Sequence, residues 1–388
     1  MGMNNWQARA AATLIGSMPH RDRQGTIDLI LRDISEIPVW PQLAAFKPEQ
    51  MMVQYLEGLP GLRTRDGLNF LQVDGPEFEQ ELLGFYEEYL EVDSGDRELD
   101  NSRFRMGAET GKTFFQFLET LARTTSSWRA VKGQIVGPFT LLSGLSDHNR
   151  RALLYDERLT DVVVKHLAMK AKWQMARLQT LGVPVIIFLD EPALAGYGSS
   201  SYISISADFV RRLLDEVVAA IQQAGGLAGI HICANTDWQL VLNSSIDIVN
   251  FDAYNYFDRF ALYGSDFARH LASGRIIAWG MVPTDTAELI YRETAESLAE
   301  RWFEQIRMLA TAELPVHRIL AQSLFTPSCG CGSLTEEAAE RVVHLTRQLS
   351  ELMQDYLSSA GKDWGTQQKG QKTADRFTCC TISSMLFA

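Results

Sequence analysis

The stretch Gly229-Ile230-His231-Ile232-Cys233 places two soft metal ligands two residues apart inside a run of β-forming residues. Residues two apart on a strand point to the same side, so His231 and Cys233 share one face while Ile230 and Ile232 share the other. An imidazole and a thiolate on one edge suit zinc. The same pair also occurs without an ion, as a buried thiol beside a hydrogen-bonded histidine. Two further segments extend the set. Thr326-Pro327-Ser328-Cys329-Gly330-Cys331-Gly332 offers Cys329 or Cys331 as a third ligand, between glycines that let backbone approach a small ion closely. Asn250-Phe251-Asp252-Ala253 offers Asp252, either an exchangeable fourth ligand or a hydrogen-bonded carboxylate at a strand end.

These residues need a scaffold that brings distant segments to one place. Short β-rich apolar runs recur at 12–18, 37–43, 133–142, 183–189, 227–233, 246–253, 275–282 and 318–325, separated mostly by helical periodicity. Such alternation is the pattern of parallel βα units. Residues 206–224 illustrate the helices: Phe209, Leu213, Leu214, Val217, Val218 and Ile221 recur at three- and four-residue steps, with Ser206 or Asp208 to cap the start and Gly225-Gly226 to stop it. Eight strands in series predict an α/β fold, a (β/α)8 TIM barrel forming a single domain over residues 1–358, with an open doubly wound sheet as the alternative. Barrel sites form at the C-terminal ends of the strands, where Cys329 can meet the fifth strand across the lumen. Residues 51–105 break the rhythm with a hairpin over 67–74, a Glu-rich helix and a polar stretch, and read as an insertion after the second strand that covers the barrel mouth. Residues 359–388 read as a disordered tail.

Composition narrows the partners. A formal net charge of -12 repels phosphate backbones and anionic lipid, so neither nucleic acid nor a membrane surface is expected. No apolar run reaches the roughly 18 to 20 residues of a spanning helix, the N-terminus lacks the layout of a secretion signal, and a cytoplasmic location follows as the expectation. Five cysteines in 388 residues are too few and too oddly placed for a disulfide scaffold. His148, His166, His270, His317 and His344 fall in helical or turn segments and read as surface residues, and His20 reads as a solvated loop histidine. Trp40 reads as core, and Gln42 and Glu57 as neighbours of a substrate.

Taken in order, Ile15-Gly16-Ser17-Met18-Pro19, Gly137-Pro138 with Thr140, Leu189-Asp190-Glu191-Pro192-Ala193-Leu194, His231-x-Cys233 and Pro327-Ser328-Cys329-Gly330 each fall at a strand's end. In this the chain resembles the cobalamin-independent methionine synthases and their shorter relatives among the uroporphyrinogen decarboxylase-like barrels, over residues 13–357. The resemblance implies a zinc-dependent methyltransferase with His231, Cys233, Cys329 and, in the position of a glutamate, Asp252 as ligands. It implies that Asp190 holds the amino group of homocysteine in catalysis, with Glu191 beside it, and that Ile15, Gly16 and Ser17 serve the substrate carboxylate. Two departures matter. The N-terminal barrel of the folate-using enzymes is missing, and Ala278-Trp279-Gly280-Met281-Val282-Pro283 has no histidine where the full-length family carries an acid. The implied methyl donor is therefore methylcobalamin or a corrinoid protein, whose cobalt departs as Co(I) without a proton. The alternatives are a uroporphyrinogen decarboxylase-like enzyme, hinted at by Arg21 and Arg23, and a non-catalytic barrel that binds a corrinoid or thiol.

Overall fold

Runs such as Val185–Asp190 and Ile276–Val282 are apolar almost throughout because parallel strands are covered on both faces. The computed structural model, which describes residues 6–125 and 127–367, has ten strands. They are β1 (Ser17–Met18), β2 (Gln42–Leu43), β3 (Leu62–Arg65), β4 (Leu68–Leu71), β5 (Val131–Val136), β6 (Val185–Asp190), β7 (Leu227–Ile232), β8 (Ile248–Phe251), β9 (Ile276–Val282) and β10 (Ser323–Pro327). Strands β5 to β10 form one parallel sheet in sequential order, curled into a half-barrel.

The closed eight-stranded barrel expected from the sequence is not formed as one sheet. β1 and β2 pair with each other in parallel as a separate two-stranded sheet, and segment 12–18 meets β10 only at the bridge Ala12↔Phe325, as segment 37–43 meets β5 only at Val39↔Lys132. Pro19, Pro38 and Pro41 donate no backbone hydrogen bond, and Gly16 has φ +133°, so neither segment sustains a ladder. Two expected boundaries also move. Residues 138–144 are the helix Pro138–Gly144, started by a proline in its first turn, and residues 318–321 end the helix Val316–Ala321.

The helix Ala207–Gln223 is capped by Ser206, which accepts from the Phe209 N–H, and buries Val210, Leu213, Leu214, Val217, Val218 and Ile221. The last helix, Glu336–Gln367, runs past the expected boundary at 358, and the remainder of the expected tail, 368–388, lies outside the described residues. His166 and His270, expected at the surface, are buried. Their periodicity decides this, since each falls on the apolar side of its helix.

Alternation along the strands divides the interior. Ile186, Phe188, Leu227, Ile248, Ile276, Ala278 and Leu324 face the lumen and plug it with Ala8, Ala11, Ile37 and Ala130, while the opposite faces pack on the helices. Segment 51–105 begins beside the strand ends, where Gln54 accepts from Gln42. Its helix Gly75–Ser94 lies along the flank of the helix Glu157–Gln179, tied by Arg158 to Glu79, Tyr86 to Asp161 and Lys172 to Asp93, and Asp100 beyond its end accepts from Trp173 and Arg177. Tyr55 reaches inward from it, donating to the Gln134 carbonyl at 2.6 Å. Among the described residues, no helix is long and apolar enough to cross a membrane.

Candidate metal centre

His231 is on β7 and Cys233 just beyond its end, while Cys329 follows β10 by two residues, so all three gather at the C-terminal end of the sheet. One ligand atom from each lies within 4.8 Å of the others, forming a group able to hold a metal ion. The imidazole is oriented for that use. Asn250, in register with His231 on β8, gives its amide N–H groups to the Ala278 carbonyl and the Thr326 hydroxyl, which fixes its Oδ1 as an acceptor. That oxygen can only take the hydrogen of His231 Nδ1, so Nε2 carries the lone pair. Nε2 is buried and has no partner. An orphaned lone pair on a member of this three-residue group fits a metal ion. Burial also pushes His231 down to about 4, keeping it neutral as a ligand must be.

The loop carrying Cys329 is held from three sides. The Ser328 N–H donates to the Val282 carbonyl, its hydroxyl pairs with Thr284, and the Cys331 N–H donates to the Ser17 carbonyl. A Cβ on Gly280 would lie 2.9 Å from the Ser328 Cα, so only glycine lets the loop fold over β9. The choice between the two thiols follows: Cys329 meets His231 and Cys233, whereas Cys331 is 2% exposed in the core and burial pushes its thiol up to about 12. The hydrogen bond between Cys233 and Cys329 lowers Cys233 to about 7 and raises Cys329, so the pair sheds its first proton readily and its second reluctantly.

Asp252 is not among the three clustered ligands. Its carboxylate caps the helix Ala253–Phe260, accepting from the Asn255 N–H at 2.9 Å and the Asn255 amide at 2.8 Å. Burial first, opposed by those bonds, raises it to about 6. The neighbouring acids of β6 part company. Glu191 is engaged in structure, Oε1 accepting from the N–H of Phe139 and Oε2 from the N–H and hydroxyl of Thr140. Asp190 points into the lumen with Oδ1 buried and unpartnered. Ile15, Gly16 and Ser17 line the same end: the Ile15 carbonyl accepts from Lys132, the Gly16 carbonyl from the Gln42 N–H, and the Ser17 carbonyl from Cys331.

Sequence reasoning passed over Asn250, Gln134 and Lys132. The β-run was started at 133, one residue too late to include the lysine. Burial pushes Lys132 down and Asp190 up, and their mutual attraction opposes both shifts. Of the other residues singled out, Trp40 is core, donating to Gln174, Gln42 donates to Gln54, and Glu57, on the insertion, accepts from Thr110. His20 is buried near Glu340 of the last helix, not solvated.

No family model matches the chain, and no curated protein matches it either. Among solved structures it is similar to a Listeria monocytogenes protein named as a candidate vitamin-B12 independent methionine synthase, with 13% identity over 88% of this chain and 98% of that one and a TM-score of 0.51. At that identity the likeness establishes a shared fold and leaves the chemistry to the residues themselves.

Proposed function

We propose that the protein is a zinc-dependent methyltransferase that methylates a small thiol, homocysteine to methionine, using methylcobalamin or a methyl-corrinoid protein as donor. The observation that carries this reading is the convergence of Cys233 and Cys329 on the fixed, unpartnered Nε2 of His231. Three soft donors with a fourth position left to substrate is the ligand count of catalytic zinc. Zinc held there would deprotonate an incoming thiol and leave it electron-rich, because two cysteinates and a neutral imidazole already cancel the charge of the ion.

The chain's own residues do the rest. Asn250 holds the imidazole in its ligating tautomer, and Asp190 accepts the substrate ammonium as a charge-assisted partner. Asp252, fixed as a helix cap next to the site, remains a candidate to occupy the fourth position when substrate is absent. A corrinoid donor fits β9, where Ala278, Gly280 and Val282 supply no acid and cobalt needs none to leave. The name of the Listeria protein accords with methyl transfer to a thiol, but its words vitamin-B12 independent give a corrinoid donor no support, so the donor rests on β9 alone. Free thiols at 233, 329 and 331 suit a reducing compartment such as the cytoplasm.

Of the two arginines behind the decarboxylase alternative, Arg23 is committed to Glu49 and Thr113 and stacked 3.7 Å over Phe46, which leaves Arg21 alone to that reading. Metal analysis of the purified protein, followed by incubation with methylcobalamin and thiols, tests the proposal. Stoichiometric zinc with thiol-dependent cobalt-carbon cleavage is expected. Protein without zinc that gains no activity on adding it would end the reading, and binding without turnover would leave the non-catalytic alternative.

A further inference from the structure

Three arginines gather where the helix Ala253–Phe260 starts, and the mechanism above does not use them. The helices Ala287–Arg292 and Ala295–Arg307 join at Glu293, which is buried against Tyr254. Hydroxyls take both oxygens of that carboxylate, Tyr254 donating to Oε1 at 2.7 Å and Ser297 to Oε2 at 2.6 Å. The arginines stand around this pair. Arg292 donates to the Tyr254 hydroxyl oxygen at 3.3 Å. Arg301 donates to the Tyr254 carbonyl at 3.3 Å, with its guanidinium 4.2 Å over the Tyr254 ring, and Arg341 of the last helix donates to the Glu293 carbonyl at 3.1 Å.

The charges do not balance. Arg292 comes within 3.5 Å of Glu293, and among the described residues neither Arg301 nor Arg341 is paired with a carboxylate. Three guanidiniums thus surround one carboxylate already engaged by hydroxyls, in a chain whose formal net charge is -12. Glu288 and Glu337, one turn before Arg292 and Arg341, are exposed and form no ion pair with them. Arg301 and Arg341 are half-buried, and each spends one of its five N–H donors. Like charges held together in this way repel one another, and an anion relieves the repulsion while filling the free donors. A carboxylate brings two oxygens, whereas a phosphate group brings enough to meet arginines from three helices.

We propose that Arg292, Arg301 and Arg341 form a binding site for a phosphate group, with Tyr254 and Glu293 holding them in place. Tyr254 is two residues past the Asp252 cap, so the site stands at the end of the sheet that carries the metal centre. A cobalamin-type corrinoid has a phosphodiester in the tail that bears its nucleotide base. The phosphate therefore belongs either to the donor's tail or to a free phosphate ligand. The first source rests on the corrinoid part of the methyltransferase reading; the site itself does not.

Equilibrium titration of the purified, metal-containing protein in phosphate-free buffer tests this with three probes. They are inorganic phosphate, methylcobalamin, and methylcobinamide, which lacks the phosphate-bearing tail. Inorganic phosphate is expected to bind at one site, and Arg292→Gln or Arg341→Gln to weaken it roughly tenfold or more, the scale of a lost charge-assisted hydrogen bond. Arg292 is 60% exposed, so its replacement does not disturb the core. Arg212→Gln, on the helix Ala207–Gln223, removes the same charge elsewhere and should leave phosphate binding unchanged. If the donor supplies the phosphate, methylcobalamin binds roughly tenfold or more tighter than methylcobinamide, inorganic phosphate competes with it, and Arg292→Gln removes the advantage. Corrinoids that bind equally, or not at all, beside phosphate that needs the arginines assign the site to a free phosphate ligand and remove the corrinoid from it. Inorganic phosphate that fails to bind, or that binds Arg292→Gln and Arg341→Gln as tightly as the wild type, overturns the proposal.

Discussion

Two residues of strand separate the dry floor of the lumen from its chemical rim. Phe188 gives way to Asp190 on β6, Gly229 to His231 on β7, Ile248 to Asn250 on β8, and Leu324 to Thr326 on β10. Below, the side chains form a continuous apolar plug. Above, Asp190 and His231 each keep a buried polar atom without a partner. Such an atom costs about 1–3 kcal/mol, so the rim is a burden on stability that the floor offsets. One set of strands thus serves folding at one level and ligand binding at the next, and the alternation of side chains keeps the two in register.

The sharpest way to break the comparison is to remove a ligand from the rim. Cys329→Ser should weaken metal retention by more than about a hundredfold, beyond what the loss of an outer partner costs, and leave the thermal midpoint of the metal-free protein near that of metal-free wild type. Metal analysis after dialysis and thermal unfolding read the two quantities. A collapse in midpoint with the metal still bound would invert the assignment. The converse change is Phe188→Ala on the floor, expected to destabilise by about 3–5 kcal/mol in urea unfolding while the folded fraction keeps its metal. Full stability with loss of metal would show that floor and rim are not separable.

What could be read from the sequence follows the same division. His231 and Cys233 are legible because strand periodicity and ligand chemistry are local signals, whereas the loop after β10 offers Cys329 and Cys331 alike and only the family resemblance favours Cys329. The apolar runs of β5 to β10 were legible for the same reason, with shifts of a few residues at Pro138 and Ser323. Closure of the barrel was not, because it depends on how segments 12–18 and 37–43 meet β10 and β5, and prolines reduce those meetings to single bridges. Asp190 and Glu191 are alike in sequence, and only the distant N-terminus of the helix Pro138–Gly144 shows that Glu191 belongs to structure. Asn250 acts across three strands, a relation that no spacing encodes.

That cross-strand role gives a finer test of the rim. Asn250→Leu removes the acceptor for His231 Nδ1 and frees the ring to present either nitrogen, so metal affinity should fall by about 10- to 100-fold. Competition with a chromophoric chelator measures it. Asn250→Asp keeps an acceptor and should lose less, although it forfeits the bonds to Ala278 and Thr326. Unchanged affinity in Asn250→Leu would show that the tautomer is set by something else.

The floor has its own test, in its dependence on pH. His270 sits at that end of the sheet, its Nε2 3.2 Å from the carbonyl of Ile276, the first residue of β9, and its Nδ1 3.3 Å from that of Leu242. Burial pushes it down from 6.5 to about 4, against the pull of those carbonyls. The folded protein therefore binds this proton less readily than the unfolded chain. The stability contributed by the neutral ring is complete above pH 6.5 and is lost as the pH falls towards 4, amounting to about 2 kcal/mol by pH 5. His166, pushed the same way by burial, adds to the slope. In urea unfolding at pH 7 and pH 5, His270→Gln should lose less stability on acidification than the wild type by that amount. An equal loss in both would move the acid sensitivity away from the floor, to His166 or to the rim, and the division between a stabilising level and a reactive one would have to be drawn elsewhere on the strands.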